Sequence, residues 1–334
     1  MKTNKKKRIG VVDILTSITI LLVVLGHHKF LRDDVYWYYN FDKFIYSFHM
    51  GLFMVLSGFV TSYTYPYKNQ VNFNIDEYKA YVIPKLNKII PNYFIVGVLA
   101  CILKYDGLEF FLVNLLHLII SPTEGSIQII WYIYVLLFLF AITPFIFKLR
   151  DKWFTILVII SLLLSIISPY VTTLFCLNNI FRLLFFFLMG FIIQKKFVKI
   201  ENCKNWIIIL LSSLFVVSEI FIVRFDNLGY TGLSYIVTSL LSLPFFYGIS
   251  KLLLQGKITV YISSVIVRYN MPIYLWQVFW LNLIYLLYTY YFPVLDSKYM
   301  VLYIVISTLI TIIGCICISK LFRNMNVLLK NIKN

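Results

Sequence analysis

The sequence predicts an all-α, polytopic integral membrane protein with about ten transmembrane helices, and three observations carry that prediction. Of 334 residues, 61% are hydrophobic and only 13% charged, against roughly 25% charged in an ordinary globular chain. Uncharged stretches such as Trp153 to Ile180 and Met271 to Leu295 exceed the roughly 18 apolar residues that mark a spanning helix. Stretches such as Ile127 to Phe147 are apolar all round, whereas barrel strands alternate polar and apolar over about 10 residues. Composition and pattern therefore exclude a soluble enzyme and a transmembrane barrel.

Ten spans follow in order. Val11 to Leu31 comes directly after Lys5-Lys6-Lys7-Arg8; it is too long for a secretory signal and lacks a small-residue cleavage pattern, so it reads as a retained first helix. Phe44 to Tyr65 and Ile89 to Leu103 are the second and third. Phe110 to Ile120 is too short to cross and reads as a re-entrant or interfacial piece. Ile127 to Phe147 and Phe154 to Phe175 follow, then Phe181 to Ile193, which is short for a full crossing. Trp206 to Val223, Leu233 to Leu254, Met271 to Phe292 and Tyr299 to Ser319 complete the set.

Along this topology 23 of the 30 Lys and Arg residues fall on the side of the termini, so the positive-inside rule places both termini in the cytoplasm. The formal net charge of +16 then reports orientation, and no nucleic-acid partner is implied. With no long linker and no fixed-period repeat, residues 1–334 read as a single transmembrane domain. Five scattered cysteines with no C-x-x-C pair suggest neither a disulfide framework nor a zinc site. The glycines form neither a dinucleotide nor a P-loop motif.

Ionisable groups within the membrane are costly and are functional candidates by default. Asp13 and His27 lie 14 residues apart on the first span, about 21 Å along a helix and on nearly the same face. His49 enters the second span at a depth similar to His27, so His27, His28 and His49 can meet Asp33, Asp34 and Asp42 of the short connection. Histidine suits proton transfer near neutral pH, and a carboxylate can orient it. The residues alone leave two other readings open, an interfacial placement and a metal site of no recognised spacing. Glu219, Arg224 and Arg182 can either contact a hydroxyl-rich acceptor or snorkel. Trp131, Trp276 and Trp280 can stack on sugars or belong to an interfacial belt, and Ser57-Gly58 suits helix packing.

These residues resemble a family. Val12-Asp13-Ile14 leading to Val23-Val24-Leu25-Gly26-His27-His28, then Phe48-His49-Met50-Gly51-Leu52-Phe53-Met54-Val55-Leu56-Ser57-Gly58-Phe59, is similar to the opening of the multipass acyltransferase family three, especially its fucose O-acetylase-like members. Lys85 to Tyr93 resembles the basic motif before the family's third helix, and Ile130-Trp131-Tyr132 its tryptophan-aromatic signature. Arg182 to Gly190 and Asn270 to Gln277 resemble its later segments. The resemblance implies transfer of an acyl group, usually acetyl from cytoplasmic acetyl-CoA, to a cell-surface glycan, with His27 catalytic. The chain departs from the family pattern at Thr16, where an arginine is common, at Lys85 and Lys88, which replace arginines, and at Gln277, which replaces a histidine.

The expected enzyme is thus an O-acetyltransferase of the bacterial plasma membrane, acting on a capsular polysaccharide, an exopolysaccharide or a lipid-linked precursor. His27 is the general base or acyl relay, His49 and Asp13 assist, and Lys85 and Lys88 meet the phosphates of acetyl-CoA. Asp42, Trp131 and Arg182 are the candidate acceptor contacts. Glycan and membrane lipid are the expected partners, and no metal is expected. The alternative is a multipass glycan flippase or solute transporter, which would more often show two similar halves.

Overall fold

The computed structural model describes residues 8–28, 35–67, 74–125, 128–224, 232–291 and 299–333. Asp33 and Asp34 lie outside them. Among the described residues there are helices and no strands, in the order α1 (Gly10–Leu25), α2 (Tyr36–Tyr46), α3 (His49–Thr64), α4 (Ile75–Leu103), α5 (Leu108–Ile120), α6 (Trp131–Lys148) and α7 (Asp151–Ile167). After these come α8 (Leu177–Lys195), α9 (Phe197–Glu201), α10 (Asn205–Arg224), α11 (Gly232–Leu253), α12 (Lys257–Arg268), α13 (Asn270–Tyr291) and α14 (Met300–Lys333). Nine helical stretches among the described residues are long and apolar enough to cross a bilayer, and α1 is a shorter apolar helix of 16 residues. The protein is a polytopic all-α membrane protein.

Several elements differ from their sequence expectation. The second span is a single apolar stretch, Tyr36–Thr64, but a turn at Ser47–Phe48 divides it into α2 and α3. The sixth, expected short at Phe181 to Ile193, is α8 over Leu177–Lys195, because the helix starts ahead of Asn178 and Asn179 instead of after them. Phe175 and Cys176, both with positive φ (50° and 54°), lead into it. The third extends back from Ile89 to Ile75, carrying Pro84 and Pro91 inside the helix. The stretch 251–270 contains α12, whose Ser263 and Ile266 are buried while Ile258 and Tyr261 are exposed. As expected, α5 is too short to cross, since 13 residues span about 20 Å.

The chain forms two compact units, one from Met1–Phe53, Trp206–Leu228 and Thr238–Asn334, the other from Met54–Asn205 and Gly229–Val237. In the first, α1 packs on α12, α13 and α14, and α13 packs on α14. That last contact is close at Gly314, where an added Cβ would lie 2.3 Å from the Trp280 ring. Phe44, Phe48, Phe215, Phe245 and Phe246 form an aromatic cluster with neighbouring ring centroids 5.0–6.2 Å apart.

In the second unit α4 packs on α5 and α6, and α7 packs on α8. The backbones of α3 and α8 touch, because a Cβ on Gly58 would stand 2.0 Å from the Phe187 carbonyl oxygen and one on Gly190 2.2 Å from that of Val55. Small residues allow such approach where lipid supplies no hydrophobic drive for association. The Tyr93 hydroxyl donates to the Leu118 carbonyl (2.6 Å), joining α4 to α5.

Candidate active site

Helix α1 ends at Leu25, and its last carbonyls need donors. The Gly26 N–H bonds back to Leu22 (2.9 Å) and the His27 N–H to Val24 (3.1 Å), so the chain tightens into a turn. The Tyr38 hydroxyl donates to the Leu25 carbonyl (2.7 Å) and the Tyr46 hydroxyl to that of Gly26 (3.2 Å). Helix α2 therefore caps α1 and fixes the backbone that carries His27. The fit at Gly26 is tight, since an added Cβ would meet the Ile45 and Tyr46 side chains at 3.2 Å each.

His27 is half-buried in this turn, past the end of the helix, so helical periodicity does not set its direction. His28 is fully buried, its Nε2 2.7 Å from the Ser307 hydroxyl and its Nδ1 3.3 Å from the Leu25 carbonyl. Nε2 ties the turn to α14, and Nδ1 holds it to the end of α1.

His49 is the first residue of α3 and is buried. Its ring lies edge-on to Tyr46, centroids 4.8 Å apart, and its Nδ1 is 2.7 Å from the Ile45 carbonyl. A carbonyl only accepts, so Nδ1 carries the proton and Nε2 is the basic atom of the neutral ring. Tyr46 thus links the two histidines, packing on His49 and bonding the residue before His27. The turn at 47–48 that places His49 frees backbone carbonyls inside an apolar span. Thr238 donates to the Ser47 carbonyl (2.8 Å), while the Phe48 carbonyl accepts from the Leu52 N–H (2.9 Å) with the Ser239 hydroxyl 3.5 Å away. Hydroxyls of a neighbouring helix are the usual remedy for a broken span.

Asp13 lies at the other end of α1, with Arg8 Nη1 3.6 Å from its Oδ2, so it is not brought to the histidines. Asp42 is buried on α2. Glu219, which sequence reasoning left between acceptor contact and snorkelling, is 5% exposed and accepts a hydrogen bond from Ser47 (2.7 Å).

In the second unit, the Arg182 guanidinium sits 5.5 Å from the centroid of Trp131 and 5.2 Å from that of Tyr235. Its Nε is buried without an acceptor among the described residues. Two aromatic faces thus hold a planar cation whose N–H groups suit an oxyanion or carbonyl. The Lys85 ammonium lies over Phe140 (4.3 Å) and Tyr81 (4.8 Å), whereas Lys88 is exposed on the same helix. Tyr235 and Tyr46 escaped sequence reasoning; nothing marks either among the 26 tyrosines.

The architecture is that of a polytopic membrane protein with a histidine at the mouth of a broken span. The family described as an acyltransferase domain matches residues 9–320, and the chain belongs to that family. A 56-residue stretch is 45% identical to nodulation protein NolL of Sinorhizobium fredii (strain NBRC 101917 / NGR234), covering 16% of this chain and 15% of the length of that protein. No solved structure matches.

Proposed function

We propose that the protein is a membrane O-acetyltransferase that moves an acetyl group from cytoplasmic acetyl-CoA to a hydroxyl of an extracytoplasmic glycan. A capsular polysaccharide, an exopolysaccharide or a lipid-linked precursor of either is the acceptor, and the bacterial cell membrane is the location. The family match over residues 9–320 carries the reading, and the construction of the His27 turn supports it. Of two adjacent histidines, one is consumed in holding the core and the other is presented at the turn.

In this reading His27 takes the proton of an acceptor hydroxyl. The oxygen adds to the thioester carbonyl, the tetrahedral adduct collapses, and coenzyme A leaves as a thiolate that recovers the proton. His49 assists through Nε2. Arg182 with Trp131, and Asp42, contact the substrates, while Lys88 and Lys85 attract the phosphates of the donor from the cytoplasmic side. Asp13, paired with Arg8, anchors the start of α1 and has no part in proton transfer.

The test uses the full chain in lipid nanodiscs with acetyl-CoA labelled in the acetyl group. The acceptor is an oligosaccharide released from the surface glycan of the producing cell and stripped of O-acetyl groups by mild alkali. Alkali-labile label on the oligosaccharide, lost in His27→Ala, is the expected result. Absence of transfer by the unaltered protein would remove the reading.

A further inference from the structure

One buried ionisable group has no role in the chemistry above. Glu219 lies within an apolar helix, α10, where an ionisable group is expensive to keep. Its Oε1 shares the Ser47 hydroxyl with the Phe44 carbonyl, both at 2.7 Å, and a serine has one proton to give. Its Oε2 is buried with no donor among the described residues. A buried carboxyl group so poorly satisfied from within needs hydrogen-bond partners from elsewhere.

The same side chain lines a cavity of about 630 Å³, well within the roughly 300–1,000 Å³ of small-molecule sites. Phe44, Phe215 and Phe245 form apolar walls, and Tyr39, Lys43 and Arg224 supply polar groups. The Lys43 ammonium is held over the Tyr39 ring at 4.6 Å. An acceptor oxygen and N–H donors lining one cavity with aromatic side chains match the hydroxyls and C–H faces of a sugar ring. Ser47, which bonds Glu219, is two residues from His49, so cavity and proposed base share the break in the span.

We infer that this cavity seats the acceptor sugar and that Glu219 is the specificity-determining residue, holding the sugar by accepting hydrogen bonds from ring hydroxyls. The inference rests on the acyltransfer reading for the meaning of its ligand, and is tested separately from it.

The experiment combines binding and kinetics on the full chain in nanodiscs, with the de-O-acetylated oligosaccharide as probe. A membrane-soluble carbodiimide labels buried carboxyl groups, and peptide mass spectrometry reads the fraction of Glu219 modified. Saturating oligosaccharide is expected to protect Glu219. Glu219→Gln is expected to raise the KM for oligosaccharide about tenfold or more, as loss of a hydrogen bond to a charged group does, with the KM for acetyl-CoA unchanged. Val216→Trp, which fills the cavity from an exposed wall position, is expected to do the same without touching the Glu219–Ser47 bond, and covers the case in which Glu219→Gln fails to fold. Transfer with an unchanged oligosaccharide KM in Val216→Trp would overturn the proposal, as would protection by added phosphatidylethanolamine and not by the sugar. Protection without transfer by the unaltered protein would leave the sugar seat standing and remove the acyltransfer reading.

Discussion

At the residue scale, His27 and His28 are adjacent in sequence and differ in everything else. The His28 ring is clasped between Leu25 and Ser307 in the core; His27 is half-buried in a turn. Replacing His28 with Ala removes a buried hydrogen bond and leaves a void, which is expected to lower stability by about 2–3 kcal/mol. His27→Ala is expected to stay within about 0.5 kcal/mol of the unaltered protein. Thermal unfolding of both variants in the same detergent checks the contrast, and equal losses would contradict it. Arg182→Lys keeps the charge but loses the planar stack between Trp131 and Tyr235. Transfer is expected to fall about tenfold, and a rate matching the unaltered enzyme would show that charge alone matters. The sequence made His27, His49 and Arg182 visible because an ionisable group in an apolar run stands out. It did not distinguish a buried Glu219 from a snorkelling one, since that depends on Ser47, 172 residues away in the chain.

At the scale of elements, spans are set by lengths of apolar chain and were legible for that reason. The turn between α2 and α3 was not, because Ser47-Phe48 carries neither Gly nor Pro; the donor that makes it tolerable, the Thr238 hydroxyl, comes from a distant helix. Helix α12 was missed because its apolar residues lie on faces and form no long run. The short reading of the sixth span began at Phe181, after the polar pair Asn178-Asn179, which the helix takes into its first turn. Thr238→Val deletes the donor to the Ser47 carbonyl at nearly constant shape. A loss of about 1 kcal/mol in stability is expected, together with reduced transfer, because the turn positions His49. Gly58→Ala puts a methyl group where the Phe187 carbonyl stands. It is expected to force α3 and α8 apart at a cost of about 1–3 kcal/mol or more, read as lower membrane yield and melting temperature; unchanged yield would show that the helices slide freely.

At the scale of the whole molecule, acetyl transfer outwards depends on orientation. In the proposed orientation, which follows the distribution of Lys and Arg, both termini and Lys88 are cytoplasmic, and α2 with the His27 turn is outside. In a cysteine-free background, Lys88→Cys is expected to react with a membrane-impermeant maleimide only in inverted vesicles, and Tyr36→Cys, 82% exposed, only in intact cells. The reverse pattern would put donor and acceptor on the wrong sides for acetyl transfer outwards.

His27-dependent acetyl transfer is read out by the O-acetyl content of the surface glycan, measured by proton NMR. The cells compared carry the intact gene, a deletion, or His27→Ala at equal membrane level. The account predicts that glycan reaches the surface in all three and that acetyl is lost in both the deletion and the His27→Ala cells. Glycan that keeps its acetyl groups yet disappears from the surface in the deletion would contradict it and favour transport.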